Sequence, residues 1–62
     1  MEVAEKAQSF ELETGHGTAV GIKAEAGHPW RVEHPWGMFR HYGTKSEAME
    51  RMKRIIAERM EI

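Results

Sequence analysis

The 62-residue chain contains no cysteine, no aspartate, no asparagine and no long hydrophobic run. Without cysteine, neither a disulfide framework nor a thiolate metal site can supplement the core, and a reducing compartment is the default expectation. No apolar stretch approaches the roughly 18 residues of a membrane-spanning helix, and the acidic opening segment lacks the apolar centre of a signal peptide. We therefore predict a cytoplasmic protein with no membrane partner.

A strong charge of one sign is also missing, because nine Lys and Arg residues face ten Glu residues and the formal net charge is −1. Such a balance lacks the basic surplus that drives unaided binding to polyanions. At this length, folding buries only about 60% of the surface that the unfolded chain exposes. We expect a single small domain over residues 1–62, of modest stability and without a deep pocket.

The amino-terminal half shows the alternation of half-buried β-strands. Phe10 and Leu12 alternate with polar neighbours in the first segment. One face of the second segment carries Val20, Ile22 and Ala24. The Gly-His-Gly sequence at 15–17 predicts a tight hairpin connection between the two strands. Residues 1–6 show no clear pattern, and we expect them to be frayed.

The stretch GHPWRVEHPWG, at 27–37, contains the tripeptide His-Pro-Trp twice. In the first copy, Pro29 predicts the entry into a strand and Trp30 is expected in the core. In the second copy, Pro35 suits a type I turn, and Gly37 would close a three-residue hairpin loop. The two copies therefore predict different structural roles.

Two registers of this second hairpin are compatible with its residues. The three-residue loop, which we prefer, places Met38 and Tyr42 on the same face as Trp30. A slip of one residue would bring Phe39 and His41 to the Trp30 face and expel Met38 and Tyr42. The choice decides which aromatic side chains enter the core.

The carboxy-terminal segment predicts a helix over 45–60. It opens with a capping box, in which the Thr44 hydroxyl accepts from the Glu47 amide and the Glu47 carboxylate reaches back to the Thr44 amide. Apolar residues follow at helical spacing, and we interpret the methionines among them as core: Ala48, Met49, Met52, Ile55, Ile56 and Met60. The other side is expected to form i, i+4 pairs: Glu47 with Arg51, Glu50 with Arg54, and Arg54 with Glu58.

These segments together predict an α+β fold. We expect an antiparallel β-meander of three to four strands over about residues 8–42, with one amphipathic carboxy-terminal helix packed on one face.

Neither metal binding nor catalysis is indicated by the residues present. The histidines are His16, His28, His34 and His41. In an extended strand, His28 and His34 would lie about 20 Å apart, too far to share one ion. The three-residue loop would bring Arg31, Glu33 and His41 together, with Glu33 about 7 Å from His41, which we interpret as a surface charge ladder. We predict no cofactor, no metal and no enzymatic activity.

The aromatic residues of the second hairpin indicate a contact surface. Trp36 stands where a turn usually carries a small polar residue, and its ring either projects from the hairpin tip or folds back over the hairpin. In the preferred register, Phe39 points outward beside Arg31. We predict that a partner binds here, through the following residues: Trp36, Phe39, Arg31, His41 and Arg40.

Part of the chain resembles the arm-type DNA-binding domains of tyrosine-recombinase integrases. The likeness covers residues 30–56 and rests on Trp30, the Gly37 turn, Arg40, Tyr42 and the TKSEA sequence at 44–48. That family places the sheet face opposite its helix in the DNA major groove, which here would implicate Arg31, Phe39 and His41. The chain departs from the family in having Glu25 and Glu33 on that face and few Lys or Arg residues.

We therefore expect a small non-catalytic module that binds another protein through its hairpin tip and exposed sheet face, as small regulators or inhibitors from phages and mobile elements do. The alternative is a nucleic-acid-binding sheet, with Trp36 and Phe39 stacking on bases and Arg31 and Arg40 near phosphates. A further possibility is a homo-oligomer formed through the edge strands.

Overall fold

The computed structural model describes residues 3–60 as a five-stranded antiparallel sheet with one helix packed across it. The elements in chain order are β1 (Ala4–Lys6), β2 (Ser9–Glu13), β3 (Thr18–Ile22), β4 (Trp30–His34), β5 (Gly37–His41) and α1 (Lys45–Met60). Each strand pairs with the next along the chain, so the sheet is a meander. The predicted α+β class and the bounds of the helix are confirmed.

The sheet has one strand more than the three to four predicted, because residues 4–6 form β1 instead of fraying. The expected fraying of residues 1 and 2 lies outside the described residues. All three side chains of β1 are exposed, so the strand has no apolar alternation. Backbone hydrogen bonds to β2 hold it at the sheet edge, and such bonds leave no pattern in the sequence.

The core lies between α1 and one face of the sheet. Trp30 is buried as predicted, and its ring lies 5.4 Å from that of Phe10. A packed aromatic pair at this spacing is a large share of the apolar surface that so small a domain can bury. Among residues 3–60, the buried apolar side chains are Phe10, Leu12, Ala19, Trp30, Val32, Ala48, Met52 and Ile56.

The face that β3 turns toward the helix carries its smallest residues, Ala19 and Gly21. Gly21 pairs with Phe10, and a Cβ on Gly21 would collide with the Phe10 ring. The ring therefore occupies the space above the glycine backbone. As a result, Val20 and Ile22 point away from α1, and Ile22 is 51% exposed.

The turn between β2 and β3 forms at the predicted Gly-His-Gly sequence. Gly15 and Gly17 adopt positive φ values of 87° and 141°, which other residues rarely adopt. The buried Thr14 hydroxyl donates to the Gly17 carbonyl at 2.6 Å and accepts from the His16 amide at 3.0 Å. The hydroxyl thus pairs with the His16 amide and adds a second bond to the Gly17 carbonyl, which also accepts from the Thr14 amide at 3.0 Å.

The preferred register of the β4–β5 hairpin is wrong. The turn contains two residues, Pro35 and Trp36, and Gly37 pairs with His34 as the first residue of β5. Proline is confined to negative φ, and the positive φ of this connection falls on Gly37, at 149°.

The slip of one residue exchanges the two faces of β5. Val32 pairs with Phe39, so Phe39 lies on the helix side and packs against the core. Met38 and Tyr42, which we expected beside Trp30, are 44% and 82% exposed. Burying the Phe39 ring against β4 favours this register, because the side-chain period of a strand is two.

The helix begins at the predicted capping box. The Thr44 amide donates to Glu47 Oε1 at 2.8 Å, and the Glu47 amide donates to Thr44 Oγ1 at 3.2 Å. Within residues 3–60, the ion pair found inside α1 is Lys53–Glu50, at 3.3 Å, and not one of the predicted i, i+4 pairs.

The predicted apolar stripe of α1 is correct except at its end. Ala48, Met52 and Ile56 are buried, but Met60 is 49% exposed. A helix of 16 residues spans about 24 Å, whereas a strand of five residues spans about 17 Å. The last turn of the helix therefore extends past the sheet, and Met60 has no sheet to cover it.

Substitution of Gly21 by alanine should lower the free energy of unfolding by about 1–3 kcal/mol, because the new methyl group displaces the Phe10 ring. Urea unfolding measures the effect. In a Phe10→Leu background the same substitution should cost less, since leucine leaves room above Gly21. An equal loss in both backgrounds would show that the two residues are not coupled.

Acid should destabilise the wild-type chain more than Glu47→Gln. The Thr44 amide, with the Thr44 hydroxyl, holds the pKa of the Glu47 carboxyl below its ordinary value. A lowered pKa stabilises the fold above the unfolded-state value, about 4.3, and this contribution is lost as the pH falls through the folded-state value. Glutamine keeps the capping bond but does not titrate. Below about pH 5, the Tm of the wild type should therefore fall faster with decreasing pH than the Tm of Glu47→Gln. An equal fall in both proteins would contradict this role of Glu47.

Candidate functional site

The sheet surface opposite α1 carries the candidate site. Over β3, β4 and β5 this surface, here called the open face, consists of Val20, Ile22, Arg31, Glu33, Met38 and Arg40. Its apolar members lie on β3 and β5. Two of its three charged members, Arg31 and Glu33, lie on β4 between those strands. A shallow groove of about 400 Å³ follows β3 and β4 and extends to the segment around His28 and Pro29.

Charge on the open face is arranged unevenly. Arg31 pairs with Glu33 in the same strand, with 2.9 Å between Nη2 and Oε1. Arg40 lies directly opposite Arg31 across the hairpin, and no carboxylate of residues 3–60 lies within 4 Å of it. Like charges directly opposite one another on a sheet are destabilising. The ion pair with Glu33 offsets this repulsion at Arg31, which leaves Arg40 as the arginine of the two without a carboxylate partner among residues 3–60.

The structure brings only two of the five predicted partner-binding residues to the open face. Arg31 and Arg40 lie there, side by side on neighbouring strands. Phe39 and His41 face α1 instead, because of the register of β5. The predicted cluster of Arg31, Glu33 and His41 does not form, since His41 lies on the opposite face of the sheet.

Trp36 folds back over its own hairpin. The indole is half-buried and packs against the core. The centre of its ring lies 5.7 Å from the centre of the His16 ring and 6.2 Å from the centre of the His34 ring. The β2–β3 turn and the β4–β5 turn are in close proximity here, since a Cβ on Gly17 would lie 3.2 Å from Pro35 Cγ. Trp36 thus joins two turns, and its ring is not free at the tip.

Phe39 is sandwiched on the helix side of β5. Its ring lies 6.1 Å from that of His34, and the Arg51 guanidinium carbon lies 4.3 Å from the ring centre. A guanidinium over an aromatic face is a favourable cation–π arrangement. The contact holds Arg51 beside β5 and covers a ring that the sequence placed in solvent.

The histidines do not assemble into a metal centre. His34 and His41 share the helix side of the sheet but lie at opposite ends of the β4–β5 ladder. His34 Nδ1 and His41 Nε2 are buried and have no hydrogen-bond partner. Within residues 3–60, no three side chains among His, Cys, Asp and Glu lie close enough to share an ion.

The position of the apolar residues on the open face does not follow from the sequence pattern alone. Val20 and Ile22 were recognised as one face of a strand, but the orientation of that face depends on the space above Gly21. Met38 was assigned to the core through the wrong register. The isolated Gly21 inside a strand is the sequence feature that indicates this orientation, because a glycine there often marks the close approach of another group.

In comparisons with known proteins, no protein-family model, no curated protein and no solved structure matches the chain. The resemblance to integrase arm-type domains therefore stays a prediction. Of the described residues, none belong to a helix with the length and hydropathy to cross a bilayer.

The fold should lose stability between about pH 7.5 and 5.5 in a way that depends on His34. Burial, and next the positive charge of Arg59, lower the pKa of His34 below its ordinary value. The unfolded chain then binds a proton more readily, so stability falls as the pH drops through about 6.5 toward the folded-state value.

Urea unfolding across this range should give a shallower pH dependence for His34→Gln than for the wild type. Arg59→Gln should reduce the dependence less, because it removes the smaller of the two causes. Wild-type behaviour in His34→Gln would assign the effect to another group.

Proposed function

We propose that this protein is a non-catalytic interaction module that docks part of another protein on the open face. The observation that carries the proposal is a set of apolar side chains on the open face, the exposed Ile22 and Met38 and the half-buried Val20. They lie on the two strands that flank Arg31 and Glu33. Within residues 3–60, the one helix packs on the other side of the sheet. Exposed apolar side chains interleaved with charged groups on an uncovered sheet face are typical of a protein-binding surface.

The charges of the sheet favour a protein over a nucleic acid. Glu33 neutralises Arg31, and the neighbouring strand β2 adds Glu11 and Glu13 on the same side of the sheet. The residues that would stack on bases, Trp36 and Phe39, do not lie on this face. Nucleic-acid binding is supported by the Arg31–Arg40 pair alone, and phosphate contacts would need more cations than these.

The geometry also supports a role without catalysis. The carboxylate and imidazole considered for proton transfer, Glu33 and His41, lie on opposite faces of the sheet. The groove on the open face is shallow, and half of the residues that line it are alternating side chains of β3 and β4. Reactions usually need deeper pockets that exclude water from the reacting groups. A cytoplasmic location and a phage or mobile-element origin stay predictions.

Charge introduced into the apolar patch should abolish binding. In affinity capture from lysate of the native host, after nuclease treatment, Ile22→Glu should lose any protein that the wild type retains, because a carboxylate in the patch must be desolvated on docking. Ala57→Glu is the matched control, since it adds the same charge on the exposed side of α1. Both variants should melt within a few degrees of the wild type.

Equal retention by Ile22→Glu and the wild type would contradict docking on the open face. Loss of all captured protein on nuclease treatment would favour the nucleic-acid alternative. A concentration-dependent dimer of the pure protein in light scattering, removed by Ile22→Glu, would instead make a second copy the occupant of the patch.

A further inference from the structure

The two edges of the sheet differ in how they are protected. At one edge, β1 has three residues, and Lys45 lies across it, donating to the Lys6 carbonyl at 2.5 Å and pairing with Glu5 at 3.0 Å. At the other edge, β5 has five residues, and within the described part of the chain its one pairing partner is β4. A short strand and a lysine are common ways of blocking an edge. The β5 edge has neither.

The backbone of β5 presents a regular set of groups for hydrogen bonding. In a ladder closed by a two-residue turn, the closing pair is hydrogen-bonded and the pairs then alternate. Gly37, Phe39 and His41 therefore bond to β4, whereas Met38 and Arg40 direct their N–H and C=O groups outward. Among residues 3–60, no hydrogen bond from a loop or another element reaches these outward groups.

Arginines flank this edge on both sides of the sheet. Arg40 lies on the open face, and Arg51 and Arg54 line a groove of about 420 Å³ between β5 and α1. No carboxylate of residues 3–60 lies within 4 Å of any of the three.

The two carboxylates of that groove are already engaged. Glu50 pairs with Lys53, while Glu47 keeps its negative charge and caps the helix through the Thr44 amide. Three arginines therefore face one carboxylate that no cation neutralises among residues 3–60. The β5 edge, meaning the outward backbone of Gly37–His41 with Arg40, Arg51 and Arg54, therefore has an excess of positive charge although the whole chain does not.

We propose that the β5 edge binds an extended acidic segment of the partner protein, which adds to the sheet as a sixth strand. The inference rests on the proposed protein-binding function and names its mode and partner chemistry. Outward N–H and C=O groups bond to the backbone of the added strand, and its carboxylates meet the arginines. The exposed Met38 offers an apolar contact to the remaining side chains on the open face.

The same charges decide between the possible occupants of the edge. A second copy pairing through β5 would bring three arginines of each chain together, which opposes association. A nucleic acid would satisfy the arginines but not the outward carbonyl groups of Met38 and Arg40, which need donors at strand spacing. An acidic peptide in extended form satisfies both sets of groups.

Peptide titration followed by NMR of the full chain tests the proposal. The probe is a peptide of about seven residues in which Glu and Val alternate, and the comparison peptide has Gln in place of every Glu. The acidic peptide should bind about tenfold more tightly than the Gln peptide. The amide signals of Met38 and Arg40 should shift most and exchange more slowly with solvent, while those of β1 should not change.

A pair of variants at one position isolates the backbone contribution. Met38→Pro removes an outward N–H group, and proline is tolerated on an edge strand when its missing donor faced solvent. Met38→Ala removes the same side chain but keeps the donor. Met38→Pro should bind the acidic peptide about tenfold more weakly than Met38→Ala. If Met38→Pro does not fold, Arg40→Gln should still weaken the acidic peptide and leave the Gln peptide unchanged.

Several results would overturn the proposal. These are undetectable binding of the acidic peptide, equal binding of the Gln peptide, equal affinity of folded Met38→Pro and Met38→Ala, or tighter binding of an oligothymidylate than of the acidic peptide. None of them bears on capture through the patch. If Ile22→Glu abolishes capture while Met38→Pro captures as much as Met38→Ala, the open face binds the partner and the β5 edge does not. If Ile22→Glu has no effect, the proposed function itself is wrong.

Discussion

The register of the β4–β5 hairpin is the constraint on which the surface of this protein depends. Pro35 and Trp36 form the whole turn, so that Gly37 already pairs with His34. Because side chains alternate along a strand, one residue of slip exchanges every side chain of β5 between the helix and solvent. The observed register buries Phe39 and leaves Met38 outside. The apolar patch and the backbone groups offered at the β5 edge both follow from it.

A second constraint acts on the orientation of β3. The Phe10 ring fills the space above Gly21, so the face of β3 with small residues must turn toward α1. Val20 and Ile22 then have no core to enter and form the apolar part of the open face. In a domain with so little apolar surface to bury, leaving Ile22 exposed and Val20 half-buried gives up stability that their full burial would supply. A partner that covers these side chains would account for this loss of stability.

The positive charge around β5 has two effects on what can pair with this strand. Arg40, Arg51 and Arg54 discourage the unpaired strand from joining another copy of itself, which is the usual hazard of an open edge. The same cations leave the edge attractive to a chain of opposite charge. Net charge gives no hint of this, since the whole chain is close to neutral. The stacking of Arg51 on Phe39 shows that the register of the hairpin also places this charge.

The sequence by itself determined the elements whose cause is local. The helix at 45–60, its capping box at Thr44 and the strand entry at Pro29 follow from interactions between residues a few positions apart, and all three were predictable. Tertiary structure alone decided the register at Gly37 and the inward position of Trp36. Both registers satisfy the local chemistry of the turn, so the choice falls to packing between strands and helix, which residue spacing does not encode.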